Sequence, residues 1–197
     1  MILGITGGTG CGKTTALEAI AQLGGLIIDC DQVYHRLLQE DADLLAAIEA
    51  RFPGTVENGQ LQRKKLGAIV FADEQALLAL NAITHKAVKT EVVKMLTPKP
   101  KLAAIDAIGL IEGGIDGLCD TTVAITAPKE SRITRIMARD GISREYASSR
   151  VEAQKSEDWF QAHCDHVLVN DSDQAAFMQK CVAFFRELII IDANSNG

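Results

Sequence analysis

Residues 7–14 read Gly-Gly-Thr-Gly-Cys-Gly-Lys-Thr and fit the pattern G-x-x-x-x-G-K-[ST] without a mismatch. Such a stretch suits one task, holding the phosphates of a nucleotide. Backbone N–H groups of a Gly-rich loop converge on phosphate oxygens, and the helix that follows adds the positive end of its dipole. Lys13 would reach the β- and γ-phosphates, and the Thr14 hydroxyl would help hold Mg²⁺. Gly8, Gly10, Cys11, Gly12 and Thr15 complete the expected nucleotide contacts within the loop.

Carboxylates and guanidiniums supply the rest of the candidate chemistry. Asp29-Cys30-Asp31 follows the apolar run Leu26-Ile27-Ile28 and is expected to end a strand. Side chains two apart on a strand share a face, so Asp29 and Asp31 would lie together, and one could take a proton from an incoming hydroxyl. The alternative is that Asp31 caps a helix beginning at Gln32. Arg132, Arg135 and Arg139 fall at i, i+3 and i+7, one face of a helix, with Arg150 and Gln154 continuing the pattern on a returning helix. Guanidinium groups suit phosphate because they are planar, always charged and multiple donors. The alternative is a solvated face paired with Glu130 and Asp140.

Other residues leave both readings open. Asp106-Ala-Ile-Gly109 matches the D-x-x-G of nucleotide switches, but the guanine-reading N-K-x-D is absent. Glu112 could hold Mg²⁺ through water or bind substrate. His85 could be core or could meet substrate. His163-Cys164-Asp165-His166 fits no common zinc spacing, so a packed imidazole is the expectation for His166. Cys11 reads as a small filler whose thiol is expected to be somewhat acidified at a helix N-terminus.

These groups need a scaffold that brings strand ends together. Ile2–Thr6 suits a buried strand, and residues 14–23 carry an apolar stripe at Leu17, Ile20 and Leu23 that predicts a helix ended by Gly24-Gly25. Further buried strands are predicted at 26–29, 102–108, 121–126 and 167–169. Helical patterns between them predict an α/β fold with a five-stranded parallel sheet covered by helices on both faces. Ligands then sit beyond the carboxyl ends of the strands. The loop at 7–14, Asp29–Asp31, residues 109–114 and Asn170 are all expected on that rim. Residues 32–101 are predicted to be an all-helical insert, with helices at 33–51, 63–71 and from an N-cap at Asp73 to Leu96. Residues 128–164 are predicted to be a helical, Arg-rich lid that starts with Pro128 in a first turn. Only residues 192–197 read as a loose tail.

Composition narrows the class. A chain of 197 residues is one large domain, or one with an insert. The formal net charge of −6 argues against general nucleic-acid binding. Five cysteines without a C-x-x-C pair fit a reduced, intracellular protein. No apolar run approaches a membrane span and no signal peptide is visible, so a cytoplasmic protein without a membrane partner is expected.

Together, GITGGTGCGKTT at 4–15, LIIDCDQVYHRL at 26–37, GQLQRKKLGAIVF at 59–71, LNAITHKAV at 80–88, LIE at 110–112, RITRIMARDGIS at 132–143, RVEAQ at 150–154 and DHVLVND at 165–171 resemble the dephospho-CoA kinase family. One departure is Cys11-Gly-Lys-Thr14 where that family usually has Ser-Gly-Lys-Ser. The resemblance implies a P-loop NTPase fold like that of nucleoside monophosphate kinases, with a helical acceptor-binding insert and a mobile lid. It implies transfer of the ATP γ-phosphate to the ribose 3′-hydroxyl of dephospho-CoA, with Mg²⁺, small-molecule partners only, and a monomer as the expected state. Carried over, Asp31 would be the base, and Lys13 and Thr14 would serve phosphate and magnesium. Arg139 would be the lid arginine nearest the transferring group, with Arg135 among the nucleotide contacts and Asn170 near adenine. Arg63, His85 and Glu112 would lie on the acceptor side. The alternatives are another small-molecule kinase acting on a nucleotide or nucleoside, and a nucleotide-binding switch without acceptor turnover.

Overall fold

The computed structural model describes residues 1–195. In chain order the elements are β1 (Ile2–Thr6), α1 (Lys13–Gln22), β2 (Leu26–Asp29), α2 (Cys30–Glu40), α3 (Ala42–Arg51), β3 (Val56–Glu57), β4 (Gln60–Leu61), α4 (Arg63–Val70) and α5 (Glu74–Met95). They continue with β5 (Ala103–Asp106), β6 (Thr121–Thr126), α6 (Lys129–Asp140), α7 (Arg144–Glu152), α8 (Glu157–His163), β7 (His166–Val169) and α9 (Gln174–Ser195). The tail expected from Asp192 is therefore helical as far as Ser195, and Asn196 and Gly197 lie outside the described residues. No helix among the described residues is long and apolar enough to cross a membrane.

The main sheet has the order β2-β5-β1-β6-β7, with β1 parallel to both neighbours and β6 parallel to β7. All five residues of β1 are buried, as a strand covered on both faces must be. The chain leaves β5 on one side of β1 and returns as β6 on the other. Strand order reverses at β1, so a crevice opens at its carboxyl end, where the Gly-rich loop begins.

Two compact units divide the chain: Met1–Ile28 with the residues from Lys99 onward, and Asp29–Pro98. In the first, α1 and α9 share one core with the sheet. Phe177, Cys181, Phe185 and Leu188 form a stripe along α9 and are buried with Leu3, Ile5, Ile20, Val123 and Ile125. Each fully buried side chain of this size contributes roughly 1.5–3 kcal/mol of burial. Burial also pushes the Cys181 thiol up to about 12. A smaller cluster of Ile133, Ile136, Ala147 and Val151 joins α6 to α7. Pro128 precedes α6 at its cap position rather than in the first turn, because the helix starts at Lys129.

In the second unit, α2, α3 and α4 pack around α5. Leu37, Leu45, Ile48, Leu66, Leu80 and Val92 are among its buried residues. Arg36 on α2 reaches Glu91 on α5 at 2.9 Å. Asp73 caps α5 by accepting the Gln75 N–H at 2.8 Å, as its position predicts. Residues 33–51, expected to be helical, fall in two helices broken at Asp41, which caps the second through the Leu44 N–H. The insert is also not all helical. Asn58 and Gly59 both take positive φ, the geometry of a tight hairpin turn, and Val56 and Glu57 pair with Leu61 and Gln60. The Glu49 carboxylate accepts the N–H groups of Gly54 and Val56 ahead of that hairpin, and these bonds hold its pKa below the usual range.

Candidate active site

The phosphate loop hangs between β1 and α1, and its shape follows from where its carbonyls go. Thr9 O accepts from Arg132 Nε at 3.0 Å. Gly10 O accepts from Arg135 Nη1 at 3.3 Å, and Cys11 O from Asn170 Nδ2 at 2.9 Å. Three successive carbonyls thus bond to side chains of α6 and the end of β7. In a trans peptide the C=O of one residue and the N–H of the next point oppositely. The Gly10 and Gly12 amides therefore turn the other way, while the Cys11 N–H closes the turn on Gly8 O. Gly12 sits in the left-handed region at φ 100, and a Cβ there would lie 2.3 Å from Asn170 Nδ2. Only glycine fits.

A cavity of about 410 Å³ opens beside the loop. Lys13, Thr14, Arg135, Arg139 and Arg150 line it, with Ile108 as an apolar wall, and no acidic residue does. A hollow lined by four cations and loop amides can take a polyphosphate, and water-poor surroundings strengthen such contacts. Lys13 Nζ lies 3.5 Å from Gly7 O and 3.8 Å from Asp106 Oδ1. Thr14 brings a hydroxyl to this hollow, a hard oxygen of the kind that Mg²⁺ takes. The glycine cradle and this donor fit a magnesium-nucleotide.

The arginine stripe divides its work. Arg132 turns to Thr9 O and to Gln154 Oε1 rather than to the cavity. Burial pushes its guanidinium pKa below the usual value. Arg135 joins the cavity to Gly10 O and to Asn170 Oδ1, 3.2 Å away. Arg139 donates twice to Asp140, at 2.6 and 2.9 Å, and Arg150 donates to the same carboxylate at 2.7 Å. These bonds hold Asp140 at about 2. Glu130, the other expected partner of the stripe, pairs with Arg144 instead.

The cavity lining does not include every residue expected at the nucleotide. The Asn170 amide is buried and bonded to Cys11 O and Arg135, so it braces the loop from behind and does not line the cavity. Thr15 is also buried and outside the cavity lining, as is Cys11. Burial outweighs the nearby Lys13 charge and raises the Cys11 thiol pKa, so the expected acidification is absent. Glu112 is exposed, 4.0 Å from Lys155, and does not line the cavity. His163 stacks on Trp159, His166 meets the edge of Phe184, and Asp165 accepts from the N–H and hydroxyl of Thr122. No group of three His, Cys, Asp or Glu among the described residues is placed to hold a metal.

In the Asp29–Pro98 unit, β2 ends at Asp29 and Cys30 already belongs to α2. Asp29 and Asp31 are therefore not alternate residues of one strand. Asp29 caps α2, accepting the Gln32 N–H at 3.0 Å, which leaves Asp31 exposed in the first turn and not used as a cap. Tyr34 follows one turn later. Burial raises its hydroxyl pKa, and the Arg63 charge partly offsets that rise. Tyr34 lies at i, i+3 from Asp31, on the same side of α2. Arg63 is exposed and His85 half-buried on α5.

A family model described as dephospho-CoA kinase matches residues 1–176. The chain belongs to that family. A dephospho-CoA kinase from Latilactobacillus sakei is 38% identical over 159 residues, covering 78% of this chain and 79% of the relative. A crystal structure from Thermus thermophilus superposes with a TM-score of 0.77 at 31% identity, covering 95% of this chain and 97% of that one. The structure of dephospho-CoA kinase from Campylobacter jejuni gives a TM-score of 0.70 at 27% identity, covering 97% and 98%. The family is one of kinases, and the parallel sheet with its Gly-rich loop is a P-loop NTPase fold.

Proposed function

We propose that the protein transfers the γ-phosphoryl group of ATP to the ribose 3′-hydroxyl of dephospho-CoA, giving coenzyme A and ADP. The observation that carries this reading is the loop itself, whose carbonyls are tied back at Thr9, Gly10 and Cys11 beside a hollow lined by four cations. Family membership supplies the acceptor.

The bond from the 3′-oxygen to phosphorus forms as the bond from phosphorus to the β,γ-bridging oxygen breaks, and ADP leaves with that electron pair. In our reading Asp31 takes the hydroxyl proton. Its exposure and its freedom from capping support that role. Lys13 and the loop amides bind the phosphate tail, and Arg139 and Arg150 face the equatorial oxygens, where charge is spread in a loose transition state. Thr14 would hold Mg²⁺, which neutralises phosphate charge when bound. Arg63, His85 and Glu112 serve the acceptor side. ATP and dephospho-CoA are the only partners required, and a monomer in the cytoplasm, away from membrane and nucleic acid, suffices.

The test is ADP release with and without dephospho-CoA, followed by the mass of the product. Acceptor-dependent ADP release with one phosphate added to the acceptor is the expected result. ADP release indifferent to the acceptor would point to a nucleotide switch instead. Lys13→Ala should weaken both ATP use and turnover, and normal turnover would remove the cradle role.

A further inference from the structure

The consensus G-x-x-x-x-G-K-[ST] demands glycine at the places filled here by Gly7 and Gly12, and leaves the four between them open. Two of those four, Gly8 and Gly10, are nevertheless glycine. The space around Gly8 gives the reason. A Cβ there would lie 2.3 Å from Arg132 Nη2 and 2.7 Å from Gln154 Oε1. Gly8 carries no positive φ that would demand glycine. It is small because two side chains from α6 and the residues just past α7 occupy its flank.

Those two side chains enclose Thr9. Gln154 Oε1 accepts the Thr9 N–H at 2.9 Å, and Gln154 Nε2 donates to Thr9 Oγ1 at 2.9 Å. Arg132 Nε donates to Thr9 O at 3.0 Å, and Arg132 Nη2 donates to Gln154 Oε1 at 2.5 Å. Thr9 thus has its N–H, its carbonyl and its hydroxyl held from one side, by groups that bond to each other. Its amide is turned from the nucleotide, and its carbonyl is fixed so that the next amide faces the other way. Every bond in this ring is part-buried, where polar partners are costly to lose.

We infer that Arg132 and Gln154 are positioning residues for the reaction, acting on nucleotide phosphates through Thr9 without touching them, and that Gly8 is glycine to admit them. The inference rests on the reading of the loop as a triphosphate cradle. It separates Arg132 from Arg135 and Arg139, which line the cavity on the same helix.

Gln154→Leu shortens the side chain by one atom and removes all its hydrogen bonds. Its KM for ATP should rise on the order of tenfold with the KM for dephospho-CoA unchanged, the size expected for lost hydrogen bonds that act through geometry. Calorimetry should show ATP and ADP bound correspondingly less tightly, while adenosine, which has no phosphate, binds as to the unaltered protein. Gly8→Ala, which displaces the ring from the other side, should reproduce that split, and the double variant should be no worse than the worse single variant. If Gln154→Leu does not fold, Gln154→Asn, with the same chemistry one methylene short, and Gly8→Ala carry the same comparison. Equal loss of adenosine and ATP affinity, additive effects of the two substitutions, or an unchanged KM for ATP would each overturn the assignment. Failure of the unaltered protein to phosphorylate dephospho-CoA while still binding ATP would strike at the acceptor reading and leave this one standing.

Discussion

The loop at 7–14 and the first turn of α2 hold the two ends of the proposed reaction, and they are built in opposite ways. Three carbonyls of the loop are each bonded to a side chain more than a hundred residues away in sequence, and its central threonine is enclosed by a ring. Asp31, by contrast, stands exposed on a helix turn, with Arg63 exposed and His85 half-buried on neighbouring helices of its unit. Phosphate is recognised by many weak donors that must all point correctly before the ligand arrives, so the structure fixes them in advance. A general base needs only its own carboxylate and the right distance when the acceptor is bound. In the proposed reaction, fixed geometry belongs where many groups share it, and proton transfer where one group suffices.

That contrast predicts different failures on the two sides. The largest belongs to α2: Asp31→Asn should lower turnover about 10²- to 10⁴-fold, the usual contribution of a positioned base, while ATP affinity stays as it was. Turnover that survives the change would leave Asp31 without a chemical role. On the loop side, Phe177→Ala should lower stability by about 3–5 kcal/mol in a denaturant titration, since a buried ring is lost from the shared core. It should weaken ATP binding as well, because the Phe177 ring edge stands 3.4 Å from where a Cβ of Gly12 would be. Asn170→Ala leaves Cys11 O and Arg135 without their partner, and should cost roughly 1–3 kcal/mol in stability. Equal ATP affinity in that variant would show that the brace behind the loop is dispensable. Arg63→Ala should raise the KM for dephospho-CoA on the order of tenfold without changing that for ATP.

The smallest effect concerns pH. Asp140 is held at about 2 by Arg139 and Arg150, below its free value of 3.8. A depressed carboxyl contributes stability that is fully present above its unfolded pKa and lost as pH falls through its folded one. The Asp140 pairing should therefore persist through the neutral range and dissolve only between about pH 4 and pH 2. Asp140 is solvent-exposed, so the effect on melting temperature should be slight and further reduced by salt. A melting temperature that fell between pH 7 and pH 5 in the unaltered protein, and no longer did so in Asp140→Asn, would contradict the assignment.

What the sequence conveyed depended on whether the signal was local. The Gly-rich loop, β1, α1 and the Asp73 cap each rest on residues within a turn or two of one another, and spacing alone specified them. Asp29 and Asp31 were misplaced because aspartate ends a strand and begins a helix equally well, and the two residues sit where one becomes the other. The hairpin at Val56–Leu61 is two residues a side, too short for alternation to register. The helix α9 does carry the stripe Phe177, Cys181, Phe185 and Leu188, but Phe184 and Ile189 to Ile191 put apolar residues on its other faces, so the stripe does not stand out in the sequence. Arg132 and Gln154 were singled out by spacing, but spacing gives a face of a helix and not a bonding partner. That Arg132 serves the loop and Arg139 the cavity emerges only from distances between residues far apart in the chain.

The braces of the phosphate loop also fix an order of events at the ribosome. Residues 7–14 emerge among the first, yet the groups that shape them are Arg132, Arg135, Gln154 and Asn170, with the Phe177 ring behind. Until those have left the exit tunnel, the carbonyls of the Gly-rich segment have only water to bond to, and glycine gives the segment more freedom than any other residue would. A nascent chain is therefore expected not to capture ATP early or use it as a folding aid. Nucleotide becomes a stabilising ligand only after translation has passed the last strand, and arrested chains ending before Asn170 should neither bind ATP nor gain protease resistance from it.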